Sequence, residues 1–183
     1  MFLNQCEHQE WLVARDWLAK AAHEDKQKVG VLTITSSLTD FLHKRFGMDL
    51  TVQLHEQWLD HVSAEEAVLL RCDESDKALR RSVSLRYQNQ VMYDAESVLP
   101  LRGLPAALMS DLEAGKRPLA NLLMAHGLSL ARSDLSVGKL LIDGCDIQAR
   151  RSVLRSALGA EALVVELFYP EFWLQLQHLA GAR

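Results

Sequence analysis

The feature that most constrains the fold is an apolar run near the C-terminus, A-L-V-V-E-L-F-Y-P at residues 162–170. Alternate side chains of a strand point to opposite faces. Here one face carries leucine and valine throughout, and the other carries Val164, Glu166 and Phe168. A run that is apolar on both faces predicts a strand covered on both sides.

Glu166 is the one charged residue in this run, and its surroundings determine whether its role is structural or chemical. An ionised carboxylate is costly to bury unless it is paired, and the usual escape is a raised pKa. Either another element supplies a partner, or the glutamate takes part in chemistry. The alternative is that the strand ends early, or that it lies at a sheet edge with Glu166 facing water.

Composition excludes several classes of function. The net charge is −4 and no long run of Lys or Arg occurs, which argues against nucleic acid as a partner. No apolar run approaches the roughly 20 residues of a membrane span, and the N-terminus lacks the pattern of a signal peptide. Three distant cysteines fit reduced thiols in the cytoplasm better than disulfides or zinc. We expect one cytoplasmic, monomeric domain over residues 1–183, with 1–35 as a helical lead-in.

The first half of the chain alternates between helical and strand-like patterns. Helical spacing covers residues 7–28, ending in a charged solvated turn that leads to Val29. Ser37, followed by Asp40, predicts the N-terminal cap of a short helix that Gly47 ends. Residues 50–58 then alternate loosely as a first strand.

Residues 79–98 predict a hairpin that turns at Gln88-Asn89-Gln90. On its first strand Arg80 lies on a polar face, whereas Arg81 lies with the apolar set. An inward arginine either extends along the strand end into water or directs its guanidinium at a carboxylate inside the fold.

The second half predicts helices, three more strands and a C-terminal helix. A loop and then a helix occupy residues 101–112. A second helix covers 119–126 after Pro118, and Gly127 ends it. A strand follows over 128–141, where Gly138 marks a bulge. Two further strands, over 150–158 and 162–168, form a hairpin that turns at 158–161. An amphipathic helix occupies 171–183. The sum is an α+β fold, an antiparallel sheet with helices on one face.

Most catalytic patterns are missing from the sequence. The seven histidines have no metal-ligand spacing, so no metal site is predicted; the serines lack a nucleophile-elbow setting, and no glycine-rich phosphate loop occurs. An inward arginine, Arg81, and an inward acid, Glu166, remain. A buried cation with a buried acid suits a small anionic substrate that gains or loses a proton.

The chain resembles the chorismate pyruvate-lyases (4-hydroxybenzoate synthases) from about residue 36 to 170. The order and spacing of several short motifs carry the resemblance. They are S-L-T at 37–39, L-R-R-x-V-x-L at 79–85, A-x-x-x-L-P at 95–100, G-K-R-P-L at 115–119, Arg132, R-R-S at 150–152 and E-L-F-Y-P at 166–170.

The resemblance implies a six-stranded antiparallel sheet and a cofactor-free lyase that makes 4-hydroxybenzoate and pyruvate from chorismate, early in ubiquinone synthesis. Arg81 matches the family's ring-carboxylate arginine, and Glu166 matches its acid at the substrate hydroxyl. Leu38 and Leu119 match pocket positions that donate through the backbone. Arg132 or Arg155 would face the enolpyruvyl carboxylate. The family's helical flaps correspond to parts of 37–46 and 118–126.

Three departures from the family pattern leave other functions open. Ala120 stands where the family usually has glycine, Glu96 stands where it has arginine, and a common tryptophan is replaced near Ala78. One alternative is a non-catalytic sensor of small aromatic acids, because the same fold serves bacterial transcription regulators. Residues 1–35 are too short for the DNA-binding domain of such a regulator. A related enzyme acting on a chorismate-like substrate is the other alternative.

Overall fold

An antiparallel sheet and surrounding helices make up this computed structural model, which describes residues 10–21, 26–102, 104–115, 117–128, 130–142, 144–157 and 161–181. The strands are β1 (Leu12–Val13), β2 (Thr51–His61), β3 (Lys77–Tyr87), β4 (Gln90–Pro100), β5 (Leu130–Ile142), β6 (Cys145–Ser156) and β7 (Glu161–Phe168). The helices are α1 (Ala14–Lys20), α2 (Lys26–Leu32), α3 (Leu38–Phe46), α4 (Ala64–Leu70), α5 (Ala106–Ala114), α6 (Leu119–Ala125) and α7 (Pro170–Gly181).

Two three-stranded meanders are joined at the centre of the sheet. The strand order is β1-β5-β6-β7-β4-β3-β2, and every neighbouring pair is antiparallel. The predicted α+β fold is confirmed. The strand number differs, because the described residues contain seven strands where six were expected, and one of them is the two-residue β1.

The run at 162–170 forms the central strand β7, which ends at Phe168. All its side chains from Ala162 to Phe168 are buried. The edge-strand interpretation is wrong, because β7 pairs with β4 on one side and β6 on the other. Glu166 therefore lies in the interior at 3% exposure.

The hairpin of β3 and β4 is covered on both faces, although its pattern predicted a polar outer face. Arg80 is buried because α4 packs over that face and Glu66 accepts from both Arg80 Nη atoms at 2.8 Å. Sequence analysis missed α4, yet Ser63 and Glu66 form a capping box at its start. One short helix thus lies opposite the face that carries the others.

Helices α3 and α6 begin as the sequence predicted. The Asp40 N–H donates to Ser37 Oγ at 3.3 Å, and Gly47, with φ of 66°, ends α3. Pro118 is the N-cap of α6, and Gly127 follows its last turn with φ of 81°. Both helix starts lie over the same region of the sheet.

The N-terminal prediction was partly wrong. Residues 12–13 pair with β5 as β1, so the single helix over 7–28 is replaced by β1, α1 and α2. The charged turn was also misplaced, because Lys26 and Val29 belong to α2. Residues 7–9 and 22–25 of that segment lie outside the described residues, as do 158–160 of the predicted hairpin turn.

The irregularity in β5 lies elsewhere than predicted. Its register shifts between Ser133 and Ser136, where Asp134 has a φ of 51°. Gly138 instead lies close to Trp11, because a Cβ there would be 3.2 Å from Trp11 Cε3 and the ring would have to shift by a few tenths of an ångström. Among the described residues, no helix combines the length and hydropathy that crossing a bilayer requires.

Candidate active site

A partly open cavity of about 50 Å³ lies between the central strands and the starts of α3 and α6. Alternate residues of five strands form its floor, as the period of two dictates. They are Arg81, Val83, Leu85, Tyr93, Ala95, Ser97, Arg132, Leu154, Val164 and Glu166. The roof consists of Ser37, Leu38 and Thr39 from one helix start and Pro118, Leu119 and Ala120 from the other.

Arg81 is a buried cation in the wall of this cavity. It is 2% exposed, and its Nη2 donates to the Arg117 carbonyl at 3.0 Å. No described carboxylate forms an ion pair with it, and its buried Nε has no hydrogen-bond partner in the described structure. Burial lowers its pKa to about 10, so it remains charged at neutral pH. Such a group is suited to an anionic ligand.

Glu166 has the partner that the sequence left undetermined. Arg150 faces it on β6, and Arg150 Nε donates to Glu166 Oε2 at 2.7 Å, with Nη2 2.5 Å from the same oxygen. The other oxygen, Oε1, lies 3.6 Å from Arg132 Nη2. The carboxylate therefore has one oxygen held by a buried guanidinium and one facing a second guanidinium of the cavity wall.

Arg132 and Tyr93 belong to the same electrostatic cluster. Arg132 Nη1 donates to Ser152 Oγ at 2.5 Å. Burial lowers the pKa of Arg132, an effect that the charge of Glu166 opposes. Burial, followed by the charge of Glu166, raises the pKa of Tyr93 well above its usual range. Tyr93 is therefore a neutral phenol in the cavity wall at physiological pH.

Five of the six predicted site residues come together at the cavity: Leu38, Arg81, Leu119, Arg132 and Glu166. Arg155 does not. Its neighbour Leu154 faces the cavity, so Arg155 points to the opposite face of β6, where it donates to the Leu69 carbonyl at 2.7 Å and contacts Asp134 at 3.0 Å.

Arg150 was not predicted as a site residue, although it lies in the R-R-S motif at 150–152. The floor residues of β4 were not predicted either. The hairpin register supplies a signal for these, because Val83 opposes Ala95 and Arg81 opposes Ser97. Counting outward from the turn would have placed them beside Arg81.

Comparison with solved structures identifies the fold class. PhnF from Mycobacterium smegmatis has a TM-score of 0.64 at 13% identity, covering 76% of this chain and 66% of that chain. YydK from Bacillus subtilis, described as a "possible transcriptional regulator", has a TM-score of 0.54 at 13% identity, with coverages of 68% and 60%. The chain thus spans 66% and 60% of these two proteins, less than two thirds of each, and the likeness shows a shared α+β fold.

Sequence comparison identifies the family. Residues 7–178 match the chorismate lyase family, and the chain belongs to it. A "Probable chorismate pyruvate-lyase" from Methylococcus capsulatus (strain Bath) is 32% identical over 145 residues, which cover 73% of this chain and 89% of that protein.

Proposed function

We propose that this protein is a chorismate pyruvate-lyase that converts chorismate to 4-hydroxybenzoate and pyruvate, as an early step of ubiquinone biosynthesis. It would act in the cytoplasm as one domain over residues 1–183, without a cofactor. Membership of the chorismate lyase family supports a lyase reaction. The geometry of the cavity supports the choice of substrate.

The observation that carries the proposal is that one cavity contains both a cation without an ion-pair partner and a carboxylate held by an arginine. Arg81 has no ion-pair partner among the described residues, whereas Glu166 is held by Arg150. Together with Arg132 the cluster contains three guanidinium groups and one carboxylate. Chorismate is a dianion, so this excess of positive charge matches it where water is largely excluded.

Each charged residue has a role in this proposal. Arg81 binds the ring carboxylate bidentately, through Nε, which has no partner among the described residues, and an Nη N–H that the Arg117 carbonyl does not occupy. Arg132 faces the enolpyruvyl carboxylate, since it lines the cavity and Arg155 does not. Leu38 and Leu119, at the first turns of α3 and α6, offer backbone N–H groups to the ligand.

The reaction is an elimination that needs no redox partner. The C4–H bond of the ring breaks, its electron pair completes the aromatic system, and the C3–O bond breaks as enolpyruvate leaves. Enolpyruvate then takes up a proton at its methylene carbon and becomes pyruvate. Glu166 either accepts a hydrogen bond from the C4 hydroxyl or receives the C4 proton.

Entry of the substrate requires the roof to move. A volume of about 50 Å³ holds a few water molecules but not an aromatic ring with two carboxylates. Ser37, Leu38 and Thr39 on one side and Pro118, Leu119 and Ala120 on the other are the groups that must separate. In the proposal, α3 and α6 are the flaps that open and close over the site.

A second candidate function is a sensor of small aromatic acids. The fold likeness to PhnF and YydK favours it, since YydK is described as a possible transcriptional regulator. A sensor needs the arginine that holds the carboxylate but not the acid at the ring hydroxyl. The two candidates therefore differ in whether the original protein turns chorismate over, and, for the lyase alone, Glu166→Gln should lower that turnover.

The deciding experiment incubates purified protein with chorismate and measures 4-hydroxybenzoate and pyruvate by absorbance and chromatography. Arg81→Ala and Glu166→Gln are run in parallel. Equimolar products whose rate of formation falls sharply in both variants support the lyase. Thermal stabilisation by 4-hydroxybenzoate with no turnover favours the sensor, and no response to either compound contradicts both.

A further inference from the structure

Arg150 is the most completely enclosed charged side chain near the cavity, at 0% exposure. It does not line the cavity but lies behind Glu166, directly opposite it on β6. Phe168 limits its movement from one side, with the ring centroid 5.9 Å from the guanidinium carbon. A charge this deep is retained only when its partners are well placed.

The two ends of the Arg150 guanidinium bind different parts of the fold. Nε and Nη2 contact Glu166 Oε2, as described above. Nη1 donates to the carbonyl of Val31 at 2.9 Å and approaches that of Ile34 at 3.4 Å. Val31 lies in the last turn of α2, whose carbonyls lack helical partners, and Ile34 lies on the segment that leads into α3.

We propose that Arg150 is a positioning residue that holds Glu166 in its reactive orientation and links it to the base of the flap helix α3. The inference rests on the proposed function, because it concerns the same site. Arg150 occupies Oε2, so Oε1 is the oxygen presented to the ligand. The same guanidinium fixes the carbonyls of Val31 and Ile34, from which the chain runs into the cap at Ser37.

Arginine is required for this arrangement because of its shape. Its planar group places donors on two sides at fixed angles, whereas a lysine ammonium is a point charge that reaches one side at a time. Arg150→Lys would keep a charge beside Glu166 and lose the contacts with the α2–α3 segment. Arg150→Met removes both the charge and the contacts, with a side chain of similar length.

The experiment compares Arg150→Met and Arg150→Lys with Arg151→Met and Arg151→Lys. Arg151 is the matched control, since it is the next residue on β6 but faces the other side, where it contacts Glu65 and Trp11. Steady-state kinetics with chorismate give kcat and KM, and stopped-flow mixing gives the dissociation rate of 4-hydroxybenzoate. Circular dichroism reports the folded fraction, and all rates are expressed per folded molecule.

The expected results separate the two contacts. Arg150→Met lowers kcat about 100-fold, because misplacing a reacting group by about 1 Å has an effect of that order. Arg150→Lys restores kcat to within about tenfold of the original protein, while product dissociation becomes about tenfold faster through loss of the α2–α3 contacts. Both Arg151 variants stay within about twofold in every rate.

A double-mutant cycle tests whether Arg150 acts through Glu166. On a Glu166→Gln background, Arg150→Met should cause no further loss of kcat, because the group it positions is already absent. This double variant removes both charges of the Arg150–Glu166 pair, so it avoids the carboxylate without its Arg150 partner that Arg150→Met alone leaves buried. A loss of kcat equal on both backgrounds overturns the inference, as do Arg150 variants that match the Arg151 controls.

Failure of the proposed function gives a different result. The original protein would then form no pyruvate from chorismate, whatever residue stands at position 150. Failure of the Arg150 inference leaves the original protein fully active and removes only the difference between the Arg150 and Arg151 variants.

Discussion

Arg81 Nη2 donates to the main-chain carbonyl of Arg117 at 3.0 Å, which ties the buried cation of β3 to the segment that begins α6. Pro118 and Leu119, the next two residues, form one side of the cavity roof. The group proposed to bind the substrate carboxylate thus also contacts the base of a proposed flap. A ligand that binds Arg81 would therefore change the hydrogen bond between this guanidinium and the base of the proposed flap.

Arg81→Met should separate binding from stability. The affinity for 4-hydroxybenzoate should fall about 100-fold or more, because a bidentate charged contact is lost. The melting temperature should be retained or raised, since the guanidinium is buried without a carboxylate partner among the described residues. Isothermal titration and calorimetric scanning measure the two effects.

Arg86→Met is the control for Arg81→Met, since Arg86 is on the same strand but contacts Gln53 and Asn89 at the sheet surface. It should leave the affinity within about twofold. Unchanged affinity in Arg81→Met, or a fall in melting temperature large enough to explain the loss, would count against Arg81 as the carboxylate site.

Arg132→Met should affect the substrate more than the product. Chorismate has a second carboxylate that 4-hydroxybenzoate lacks, so KM should rise about tenfold while product affinity changes less. Arg155→Met should change neither beyond about twofold, because Arg155 contacts Leu69 and Asp134 on the other face. If Arg155→Met instead gave the substrate-selective loss, the proposed role of Arg132 would be wrong.

Period-two patterning was sufficient to predict the central strands and two of the charged site residues. Arg81 was placed with the apolar face of its strand, and Glu166 was placed in a doubly covered strand, because burial leaves a direct mark on alternation. The starts of the helices at Ser37 and Pro118 could also be predicted from the sequence, because helix capping depends on residues close together in the chain.

Arg150 was unpredictable because it depends on strand register and on distant chain segments. A hairpin turn at 158–161 would place Val153 opposite Glu166, whereas the observed register pairs Arg155 with Glu161 and Arg150 with Glu166. A register error moves the facing residues along the whole pair. Its other contacts, at Val31 and Ile34, lie more than 100 residues away, and no local pattern reports them.

Two tyrosines should resist ionisation while the protein is folded. Burial raises the pKa of Tyr93, and burial together with Asp94 raises that of Tyr169. Among the three tyrosines of the chain, absorbance at alkaline pH should therefore report at most one phenolate in the folded protein. Unfolding in guanidinium should release the other two, and two early phenolates would contradict the burial of this pair.

The raised pKa values of Tyr93 and Tyr169 also affect the stability of the protein at alkaline pH. Between the usual phenol pKa of about 10 and the raised folded values, the unfolded chain has lost protons that the folded chain still binds. The contribution of these two tyrosines to the free energy of unfolding should therefore be retained below pH 10 and fall as pH rises above it. Tyr169→Phe should make the fall shallower, which urea unfolding at several alkaline pH values would measure.

Ala120→Gly tests whether the extra methyl in the cavity roof limits binding. Ala120 lines the cavity next to Leu119, so removing its methyl gives the ligand more room and should lower KM for chorismate. Glycine inside α6 should also destabilise the protein by up to about 1 kcal/mol. Ala125→Gly places a glycine at the other end of α6, at an exposed position outside the cavity wall. A lower KM in Ala120→Gly alone would identify the methyl as a steric limit on binding, whereas equal changes in both variants would attribute the effect to a weakened flap helix.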